Sequence, residues 1–103
     1  MAKKSLVSRE IRTRLGGLFY RDFLKDHGTI DNVLLAELPL YQLAELRLLE
    51  TFLQRLLKDD LSPAERAAAL EEAGCSVIPE DPEQVLGLID VILQYVEEEI
   101  ARR

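Results

Sequence analysis

The chain has 103 residues, 48% of them apolar, enough for one domain with its own core and no metal or disulfide staple. Its single cysteine, Cys75, excludes an intramolecular disulfide, and one Cys with one His cannot supply the usual zinc ligand set. The formal charge of −6 is uneven: residues 1–25 hold seven Lys or Arg against two acids, and residues 26–103 hold six against seventeen. That balance argues against nucleic-acid or anionic-membrane binding by the body of the chain.

Twenty residues are Leu, against six Val and six Ile, and Trp is absent. Side chains not branched at Cβ, such as Leu, keep more rotamer freedom in helices than β-branched ones, so the composition predicts an all-α protein. After MAKKSLV the chain turns to SREIRTR, without the apolar run of roughly 7–15 residues that a secretory signal needs. No apolar stretch reaches the roughly 20 residues of a membrane span. The expectation is a soluble, cytoplasmic protein whose lone thiol suits reducing conditions.

The first segment, SREIRTRLGGLFYRDFLKDHG, places Val7, Ile11, Leu15 and Leu18 at helical spacing with Phe19 beside them. It predicts a helix from Ser5 or Ser8 to a stop at Gly28. Gly16 and Gly17 cost roughly 1 kcal/mol each in a helix interior. They signal either a break or a close approach by a neighbour. The apolar stripe keeps its phase across them, which favours a continuous or gently bent helix. The segment is basic in an acidic chain and holds three of the six aromatic residues.

Thr29 or Asp31 predicts an N-cap for a short helix over 33–38. Pro39 then opens a longer helix over about 40–58. Leu46, Leu49, Leu53 and Leu56 form its seam, widened by Leu43, Phe52 and Leu57. Ser62, Pro63 and Glu65 form a start signal and Gly74 a stop for an alanine-rich helix. Asp81 and Pro82 open the last helix, over about 82–102. Val85, Ile89, Ile92 and Val96 make its seam, and Glu83, Gly87, Asp90, Gln94 and Glu97 its polar face. Glu98 with Arg102 and Glu99 with Arg103 stand in the favourable i,i+4 order.

Four or five helices result, two of them long, in one domain over 1–103 with a basic helical segment over 1–27. The two leucine-rich stripes exceed the narrow seam of a two-stranded coil. The alanine-rich helix covers little area. These features predict a homodimer, with Leu46, Leu49, Leu53, Leu56, Ile89, Ile92 and Val96 in the self-association face. A self-sufficient monomeric bundle stands close behind.

Reactive groups are few. His27 reads as a cation at a helix end and Cys75 as a small buried hydrophobe. The acids Glu97 to Glu99, Asp59 and Asp60 read as solvated surface. LGGLF lacks the Lys and Ser or Thr of a phosphate loop. Catalytic, cofactor-binding and metal-ligating residues are therefore not assigned, and no enzyme is expected. The expectation is a protein that binds another protein, through Arg9, Arg12, Arg14, Phe19, Tyr20 and Phe23, since Arg and aromatic residues are enriched at interface centres. An equal reading makes the segment a first core helix, with Ile11, Leu15, Leu18 and Phe19 inward and the arginines solvated. A nucleic-acid-binding regulator using the same arginines is the alternative. It is weakened because Arg9 and Arg12 fall on a different side of the helix from Arg14 and Arg21.

Overall fold

The computed structural model describes residues 7–20, 22, 25–26, 28–58, 61–76 and 78–103. Over these the chain is helical: α1 (Arg9–Leu18), α2 (Ile30–Glu37), a 3-10 turn (Leu38–Leu40), α3 (Leu43–Leu56), α4 (Pro63–Glu72) and α5 (Pro82–Arg102). Phe23 and His27 lie outside the described residues, as do Arg21, Asp59 and Asp60.

Helix starts follow their capping residues. The Ser8 hydroxyl accepts from the Ile11 N–H and that of Thr29 from the Asn32 N–H. The Ser62 hydroxyl accepts from the Glu65 N–H while Glu65 returns the bond to the Ser62 N–H. Asp81 accepts from the Glu83 N–H. Each bond satisfies a donor that the helix itself leaves unpaired.

Besides the second helix, which opens at Ile30 rather than residue 33, two boundaries differ from the sequence expectation. The first helix runs unbroken through Gly16 and Gly17 and stops at Leu18, ten residues short of Gly28. Phe19 leaves helical geometry with its side chain fully buried. Its carbonyl accepts from the Ser76 N–H, and the Tyr20 carbonyl from the Ser76 hydroxyl. These partners on a distant loop replace the next helical turn. The second difference is at Pro39, which sits inside the 3-10 turn rather than opening α3. Tyr41 then turns extended, and α3 begins at Leu43, where Glu45 accepts from the Gln42 N–H at 2.8 Å.

The core lies mainly between α3 and α5. Leu46, Leu49, Leu53, Leu56, Ile89, Ile92 and Val96 are all fully buried within one chain. A fully buried aliphatic side chain of this size stabilises by roughly 1.5–3 kcal/mol. These seven residues, expected at a two-fold face, therefore pack against each other inside a single bundle and present no surface to a second chain. α1 and α2 cover the stripe from the other side with Ile11, Leu15, Leu18, Phe19, Val33 and Leu34. Phe19 and the end of α1 supply the cover that the alanine-rich helix lacks. The Cα radius of gyration, 13.0 Å, is close to the value of about 13 Å for a folded chain of about 100 residues.

α4 contributes a polar device as well as Ala69 and Leu70. Its Arg66 is buried and donates from Nε to the Leu56 carbonyl at 2.6 Å and from Nη2 to the Lys58 carbonyl at 2.8 Å. A cation there satisfies carbonyls orphaned at the end of α3 and opposes the negative end of its dipole. α4 ends in a Schellman turn: Gly74 N–H bonds Glu71 O, Cys75 N–H bonds Leu70 O, and Gly74 has φ +89°. Glycine occupies that backbone region without strain. Among the described residues no helix is long and apolar enough to cross a membrane.

Candidate interaction surfaces

The basic aromatic segment is drawn largely into the fold. Phe19 is core. Arg12 donates from Nε to the Glu72 carbonyl at 3.1 Å, tying α1 to the end of α4. Arg14 pairs with Glu45 of α3 and its guanidinium lies 5.9 Å from the centre of the Tyr41 ring. Tyr20 donates to Asp26, and that bond pushes its hydroxyl pKa up to about 12. Arg9 remains on the exposed N-terminal turn. The expected docking set is thus divided: Phe19 is unavailable, Arg12 and Arg14 hold α1 in place, and Arg9 and the half-exposed Tyr20 face outward.

The glycine pair has a structural role on one side only. A Cβ on Gly16 would stand 3.2 Å from the Ala73 carbonyl oxygen, and one on Gly74 would stand 3.2 Å from the Gly16 Cα. α1 and the Schellman turn of α4 therefore touch backbone to backbone. Cys75, next along, is buried.

At the corner between α2 and α3 the chain is gripped from three sides. Arg103 donates from Nη2 to the carbonyls of Pro39 at 3.1 Å and Tyr41 at 2.8 Å. Tyr41 donates its hydroxyl to the Arg14 carbonyl at 2.8 Å. Burial raises the Tyr41 pKa to about 12, although Arg14 acts in the opposite direction. Glu99, buried at the end of α5, accepts from Arg103 at 2.9 Å and Arg102 at 3.0 Å. The Glu99–Arg103 pair forms as the sequence suggests. Arg102 turns to Glu99 rather than Glu98, so one carboxylate collects both cations. The hydrogen bonds from Arg103 and Arg102 hold the Glu99 pKa below its ordinary value against the opposing effect of burial. Within this corner Leu40 stays 75% exposed and Leu35 52%.

The outer face of α5 is the second exposed apolar region. Leu86 and Val91 are each 36% exposed. Between them Gly87, mid-helix, has nothing within 4 Å of the place a Cβ would occupy. Around them lie Glu83, Asp90, Glu97 and Glu98, exposed and, among the described residues, without an ion-pair partner. Asp90 accepts from the Gln94 amide at 3.0 Å. The polar face read from the sequence named Gly87 and most of these acids. It names neither Leu86 nor Val91 as exposed. Leu40 falls inside the helix that periodicity predicts and carries no exposure signal of its own.

Among the described residues no three of His, Cys, Asp and Glu come together as a metal site. The matching of the chain against known proteins is empty at every level: no family model, curated protein or solved structure matches it.

Proposed function

We propose that this chain is a non-catalytic helical protein that acts by binding another protein, as a small regulator, adaptor, inhibitor or accessory subunit. The observation that supports the binding role is Gly87. A glycine in a helix interior costs roughly 1 kcal/mol relative to alanine, and here no neighbour within the chain requires it. A partner helix passing close over α5 would require it. Exposed Leu86 and Val91 supply apolar contact on either side, and the surrounding carboxylates fit a cationic partner. On this reading the recognition face is the outer side of α5 rather than the first helix.

The test is capture of partners from host extract by the whole chain and by Val91→Glu, with both folded by circular dichroism. The wild-type chain retains a defined protein and Val91→Glu loses it. Equal retention by both would remove α5 from the account. Retention of nucleic acid that falls steeply with salt, and that Arg9→Glu abolishes, would replace protein binding with the nucleic-acid reading.

A further inference from the structure

We draw no further inference here: the strongest candidate, the apolar groove between the first turns of α4 and α5 lined by Pro63, Ala67, Pro79, Pro82 and Val85, carries nothing, because nothing in the structure shows what covers it.

Discussion

Gly16 and Gly87 are the same residue in the same kind of helix, and the fold uses them in opposite ways. Gly16 is pressed against the Schellman turn of α4, where a Cβ would meet a backbone oxygen at 3.2 Å. Gly87 looks into open space on α5. The first absence of a side chain is required by the fold. The second is a cost the fold does not need, and it lies among exposed Leu86 and Val91 and the exposed acids Glu83 and Asp90. A helix glycine has meaning only through its neighbours, which is why the two could not be told apart by position in a periodic stripe.

The sharpest way to break that contrast is to fill the junction. Gly16→Val should destabilise the fold by about 2–3 kcal/mol, the usual cost of overpacking with no flexible side chain to yield. For a domain near this size that lowers Tm by roughly 4–8 °C per kcal/mol. An unchanged Tm in thermal unfolding would show that α1 can lift off α4 freely. Gly74→Ala comes next, at about 1–2 kcal/mol, because φ +89° disfavours a side chain and the new Cβ meets Gly16. Equilibrium urea unfolding with an unchanged m-value measures it.

A smaller effect comes from pH at the far end of α5. The Glu99 pKa is lowered in the folded chain, so its contribution is present above the ordinary carboxylate value and is lost as pH falls through the lower folded value. Glu99→Gln should flatten the acid limb of a Tm-against-pH curve. The tyrosines act with the opposite sense. Tyr41 and Tyr20 are raised to about 12, so stability is full below pH 10 and falls as pH rises toward the folded values. The smallest effect, with the opposite sign to the junction variants, is Gly87→Ala, which should raise stability by up to about 1 kcal/mol. A loss of stability there would mean that the open space is not open.

Much of the fold is legible in the residues themselves. Ser62-Pro63-Glu65, Asp81-Pro82 and Thr29 mark helix starts because capping is a local event between neighbours in sequence. The seam residues are correctly apolar and inward-facing, since period 3.6 fixes a face whatever lies opposite. What lies opposite is not encoded locally. Phe19 fills the core instead of a docking site because Ser76, far along the chain, captures its carbonyl. Arg66 is buried because the end of α3 happens to need its two donors. The exposure of Leu40 follows from a turn held by Arg103, sixty-odd residues away. Sequence periodicity cannot register these long-range bonds, and they separate a buried seam from an available surface.

The central claim is that one chain closes the leucine-rich core of α3 and α5 by itself. Amide hydrogen exchange on dilute protein tests it most directly. The account predicts the slowest exchange along Leu43–Leu56 and through the middle of Pro82–Arg102, at rates that do not change with protein concentration. Fast exchange across both helices in the isolated chain, slowed only by association, would contradict it.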